Sequence, residues 1–121
     1  MDRQFLLNQL ESARETRDEN LFLELLEQIY SDKNEDYSAI VEISDKVLDI
    51  LEEWGWLDRM IEYASALVNN DPSDAQCKTE LACFYYKKGY LDKAEILLSS
   101  SLELKENPLA RYYLDKIQKS R

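Results

Sequence analysis

The stretch "EEWGWLDRM", Glu52 to Met60, is echoed 34 residues later by "YKKGYLDKA", Tyr86 to Ala94. Both read Gly, aromatic, Leu, Asp, basic. Sliding the chain over itself by 34 extends the match. Gly55 falls on Gly89, Trp56 on Tyr90, Leu57 on Leu91, Asp58 on Asp92, Arg59 on Lys93 and Met60 on Ala94. Upstream, Val47 meets Leu81, Leu48 meets Ala82 and Leu51 meets Tyr85; downstream, Ala64 meets Leu98 and Val68 meets Leu102. Apolar character is kept at nearly every matched site, so the register is a repeat and not a chance identity.

A period of 34 residues is the length of a helix–turn–helix unit. Each part of the match has a physical reason. Gly55 and Gly89 end a helix where only Gly takes the left-handed conformation cheaply. Ala82 and Ala94 are small where paired helices approach. Asp71-Pro72 and Asn107-Pro108 each place a capping residue before a Pro at the first helical position, and Ser73 with Gln76 has capping-box spacing. The second unit is two residues longer before its Pro, which predicts an extra half turn in "SSSLELKE".

In this register the chain resembles the tetratricopeptide repeat family. Leu81, Ala82, Tyr85, Gly89 and Ala94 of "LACFYYKKGYLDKAEILLSSSLELKENP" fit its pattern. "VLDILEEWGWLDRMIEYASALVNNDP" fits more loosely, with Leu48, Leu51 and Met60 in place of the small residue, the Tyr and the Ala. Ser44 and Lys78 stand where the family has an early Trp. The resemblance covers residues 41–108. It implies a right-handed helical-hairpin array that binds peptides on its hollow side.

The flanks read as helices too. Residues 3–16 place Phe5, Leu6, Leu10 and Ala13 on one face; residues 20–30 place Leu21, Phe22, Leu25, Leu26, Ile29 and Tyr30 likewise. Asn20 is the expected left-handed residue between them. Residues 1–36 are thus a degenerate repeat or cap, 41–74 and 75–108 are repeats, and "SDKNEDYS" at 31–38 is the longest polar connection. Residues 109–121 form a capping helix through Leu109, Tyr113, Leu114 and Ile117, because a repeat cannot bury its apolar face alone. The fold class is all-α, about seven helices in a single domain of 121 residues. Leu57, Leu81, Leu91 and Leu98 are expected core residues.

Composition narrows the function. The net charge is −10, with 19 acids and 6 bases in residues 1–74 against 6 acids and 9 bases in residues 75–121. That disfavours nucleic acid. The start, "MDRQFLLNQLESARE", has no apolar run longer than three, so neither a secretory leader nor a membrane span is expected. Cys77 and Cys83 are six apart on one helix and point to different faces, so they are expected as thiols in a reducing, cytoplasmic compartment. Without His there is no His-based triad and no mixed Cys/His zinc site; with two Gly there is no phosphate loop. An enzyme and a cofactor are therefore not expected.

What remains is binding. On the face of the second unit's first helix away from Leu81, Ala82 and Tyr85 lie Gln76, Thr79, Cys83 and Tyr86, at spacings of 3, 4 and 3. The matched positions one unit earlier are Glu42, Asp45, Asp49 and Glu52, all acidic. These eight are the expected peptide groove, suited to a basic or amphipathic segment of a protein partner. Some family members hold an acidic chain terminus with Lys, Arg and Asn on this face. Here Asp45, Asp49, Thr79 and Cys83 stand on that face instead, which tells against such a ligand. The leading expectation is a small cytoplasmic adaptor or client-specific chaperone; in size, charge and repeat type the chain is similar to bacterial secretion chaperones. The alternative is a self-associating scaffold, such as a homodimer, joined through Trp54, Trp56, Tyr90 and Tyr112.

Overall fold

The computed structural model of the chain describes residues 3–31 and 37–120. Among them lie seven helices and no strand: α1 Arg3–Thr16, α2 Glu19–Ser31, α3 Tyr37–Trp54, α4 Leu57–Asn70, α5 Ala75–Lys88, α6 Leu91–Leu104 and α7 Pro108–Lys119. Residues 32–36 of the expected polar connection fall outside the described residues. The chain divides into two compact units, the first running to Gly55 and the second starting at Trp56. That division falls inside the stretch 41–74 read as one repeat.

In the first unit α1 packs on both α2 and α3. Leu6, Leu10 and Ala13 of α1, Phe22, Leu25 and Leu26 of α2, and Val47, Ile50, Leu51 and Trp54 of α3 are buried. Their spacings of three and four are the apolar stripe of a helix in a core. Phe5 and Tyr30, expected on these faces, are exposed. Trp54 meets Phe22 edge-on with ring centroids 5.0 Å apart, and the Arg17 guanidinium lies over its indole. Burial removes Trp54 from any subunit contact.

The α1–α2 turn corrects one expectation. Its left-handed residue is Arg17, at φ 49°, and Asn20 is helical. Arg17 N–H donates to Arg14 O and Asp18 N–H to Ala13 O, a double closure that satisfies the last carbonyls of α1. Asp18 then accepts from Leu21 N–H and so starts α2. Asn tolerates the left-handed region better than Arg, but the length of α1 places the turn at Arg17.

In the second unit α5 packs on α4 and α6, and α7 packs on α6 and touches α5. Ala82, Ala94, Leu98, Ala110, Leu114 and Ile117 form one buried cluster. The two alanines sit where α5 and α6 come close, as their size requires. Leu81 is buried as well, whereas Leu57 and Leu91 are only half-buried. On α7, Leu109 is 49% exposed, so Ala110 and not Leu109 joins Leu114 and Ile117 in closing this end. Gly89, at φ 87°, ends α5 with the same double closure as Arg17: Gly89 N–H to Tyr86 O and Tyr90 N–H to Tyr85 O.

The two Pro behave differently. Asn107 accepts from Leu109 and Ala110 N–H, with Pro108 at the first helical position. Pro72, by contrast, lies outside α5. Asp74 caps that helix through Cys77 N–H, and Asp71 holds the preceding turn by accepting from the Ser73 N–H and hydroxyl. Ser73 is therefore not the cap. The expected extra half turn is absent, since α4 and α6 both have 14 residues.

Candidate binding surfaces

The core face of α3 uses Ser44, Val47, Ile50, Leu51 and Trp54, and this leaves the opposite face to solvent. Glu42, Asp45, Asp49 and Glu52 all stand exposed there in one row. At 1.5 Å per residue the row is about 15 Å long. Glu42 meets Arg3 of α1 at 3.5 Å. Exposed Val41 and half-buried Leu48 run along the edge of the row. Beneath it, Glu11 takes both Arg14 and Lys46, and Arg14 reaches on to Glu53. Those hydrogen bonds, Arg14 first and Lys46 second, hold the Glu11 carboxyl down at about 2.

The four residues of α5 do not share one environment. Gln76 is exposed, Cys83 and Tyr86 are half-buried, and Thr79 is buried at 1% exposure. Thr79 belongs to the interior between α5 and α6. Its hydroxyl lies 3.0 Å from Ala75 O and 2.7 Å from the Ser101 hydroxyl. It stands three residues from Gln76 on the outer row and three from Ala82 on the inner one. The Ser101 hydroxyl and the Ala75 carbonyl draw it inward. Its matched residue Asp45 is exposed, so a shift of 34 does not preserve surroundings at this position.

Tyr86 sits in a cluster that the sequence reading missed. Its ring meets Tyr113 of α7 at 5.3 Å, and Tyr113 meets Tyr112 at 5.3 Å, both edge-on. The Lys116 ammonium lies 5.7 Å from the Tyr86 ring and 5.5 Å from the Tyr112 ring. The phenols of Tyr112 and Tyr86 raise its pKa. The signal was present in "PLARYYLDKIQK". Ala110, Leu114 and Ile117 make the buried stripe, while Leu109, Tyr112, Tyr113 and Lys116 make a second stripe beside it.

Charge follows the structural division. Residues 1–55 hold 15 acids and 5 bases, net −10, and residues 56–121 hold ten of each. All the net charge of the chain belongs to the first unit. The thiols carry no charge at neutral pH. Burial and the Asp74 carboxylate push Cys77 up to about 12, and burial raises Cys83. A protonated thiol is a poor nucleophile. Among the described residues no three Cys, Asp or Glu side chains gather to hold a metal ion, and no helix is long and apolar enough to cross a membrane. Neither a protein-family model nor a curated protein matches this chain.

Proposed function

We propose that the chain is a tetratricopeptide-like protein-interaction module, an adaptor or a chaperone for one client, working in the cytoplasm. It takes a basic or amphipathic segment of a partner protein on the acidic face of α3. The observation that carries this reading is the exposed row Glu42, Asp45, Asp49 and Glu52, on a unit whose net charge is −10. Such a row attracts Lys and Arg over a distance and speeds encounter. Val41 and Leu48 at its edge offer an apolar strip to the same segment. Tyr86, with Tyr112 and Tyr113, gives the other unit a surface of the composition found at interface hot spots. The repeat register supports the family reading, and free Cys77 and Cys83 suit a reducing compartment.

The test is a titration of the full chain with a synthetic Lys/Leu amphipathic peptide and its Glu/Leu counterpart, read by fluorescence anisotropy at two salt concentrations. The Lys peptide should bind and the Glu peptide should not. Asp45→Lys with Asp49→Lys should slow association and flatten the salt dependence. Glu24→Lys with Glu27→Lys, on exposed positions of α2, is the control for unspecific attraction. Equal losses from both pairs would sink the reading.

A further inference from the structure

The second stripe of α7 is a helix face with a composition of its own. Tyr112 is 57% exposed and Leu109 is open beside it. Lys116 and Lys119 stand at the same side, one and two turns on from Tyr112, and both are exposed. Arg111, tied to Glu106 at 3.0 Å, and exposed Asp115 border the face on the edge away from Tyr113. The face is therefore aromatic and apolar at its start and cationic at its end. Tyr113 and Tyr86 back it and fix the Tyr112 and Lys116 side chains through ring and cation contacts. Rigid aromatics beside a cation lose little entropy when a partner docks.

The chain itself carries the complement of this face. The exposed side of α3 has Val41 at its start, with Asp45, Asp49 and Glu52 following and Leu48 half-buried among them. Each face thus opens on an apolar side chain, Val41 or Leu109, and carries charges of opposite sign further along a similar length. We propose that the α7 face docks a second copy of this chain through that copy's α3 face. Val41 and Leu48 meet Leu109 and Tyr112, while the carboxylates meet Lys116, Lys119 and the phenol hydroxyls. The two patches differ, so each contact is heterologous. This inference goes beyond the proposed function and does not rest on it. Where both hold, self-association and peptide capture compete for the acidic row.

The experiment uses the full chain with no peptide present. Sedimentation velocity from about 10 μM to about 1 mM, the range where weak protein contacts form, should show the mass rising above the 14.3 kDa of one chain. Raising ionic strength from about 0.01 M to about 1 M shrinks the screening length from about 30 Å to about 3 Å and should reverse the rise. Asp45→Lys with Asp49→Lys weakens association at least about tenfold, as does Lys116→Glu with Lys119→Glu, because like charges then face each other. Mixing the two variants restores association, since the unchanged α7 of the first again meets the unchanged α3 of the second. A single-chain mass throughout the range overturns the proposal. So does association that neither variant weakens, or that mixing fails to restore. All four positions are exposed, and circular dichroism of each variant confirms that loss of association is not loss of fold.

Discussion

The hydroxyls of Thr79 and Ser101 meet 2.7 Å apart in the buried seam between α5 and α6, and both also reach Ala75 O. Two hydroxyl protons serve three contacts, so whichever group donates to the other gives up its bond to the carbonyl. Removing one hydroxyl leaves the other its bond to Ala75 O but deletes the bond across the seam. Ser101→Ala should therefore cost about 0.5–1.5 kcal/mol, the worth of an ordinary hydrogen bond. Thr79→Val combined with Ser101→Ala should cost less than the sum of the two single changes. Urea denaturation of the four proteins checks the cycle. Strict additivity would mean that the hydroxyls act independently.

Gly55 and Gly89 sit at φ 73° and 87°, and a Cβ built on either meets nothing within 4 Å. Space is therefore no obstacle, and any penalty comes from backbone conformation. Gly89→Asn should be the mildest change and Gly89→Ala intermediate. Gly89→Val should be the worst, at about 1–3 kcal/mol. Thermal melts rank the series. An order that followed side-chain volume but ignored Asn's tolerance would point to a hidden clash.

Ile96 and Leu98 lie two apart on α6 with opposite fates, 69% and 0% exposed. Leu98→Ala should cost about 2–5 kcal/mol through lost burial and the cavity left behind. Ile96→Ala should stay within about 0.5 kcal/mol. Chemical denaturation separates them cleanly.

Acid should weaken the first unit through Glu11. Its carboxyl titrates near 2 in the folded chain against an ordinary 4.5, because Arg14 and Lys46 favour the charged form. The unfolded chain thus takes up the proton first. Stability from this group is intact above about 4.5 and is lost as the pH falls toward 2. Glu11→Gln should be less stable than the parent at neutral pH, and the gap should close across that window. Melting curves at pH 7, 4 and 2.5 provide the measurement.

Helix existence was legible because the 34-residue register and the 3.6-residue stripes agree. The starts of α4 and α6 after Gly-aromatic, and of α7 at Asn107-Pro108, fall where expected. The misreadings share a cause: local chemistry offered two candidates and packing chose between them. Asp71 and Asp74 are both good caps, and helix α5 begins from the second. Asn20 is the better left-handed residue by type, yet Arg17 lies where α1 runs out. Thr79 borders two rows of α5, and only its hydroxyl partner on α6 decides which row it joins. The Tyr112–Tyr113–Lys116 stripe is not legible as one surface, because Tyr112 suits a subunit contact and Tyr113 a capping face, and only packing against Tyr86 of α5 groups them. The acidic row on α3 was readable in full, since exposed charges at helical spacing need no partner to place them.

The division of charge has a colloidal consequence. A fragment beginning at Trp56 would carry ten acids and ten bases and so sit near its isoelectric point at neutral pH. It would do so with Tyr90, Ile96, Leu109 and Tyr112 open to solvent. Molecules without net charge and with apolar surface tend to precipitate. The 15 acids and five bases that precede it give the whole chain a net charge of −10, which opposes precipitation. The first unit is thus the solubiliser of the second, and cutting the chain between them should leave one half in solution and the other in the pellet.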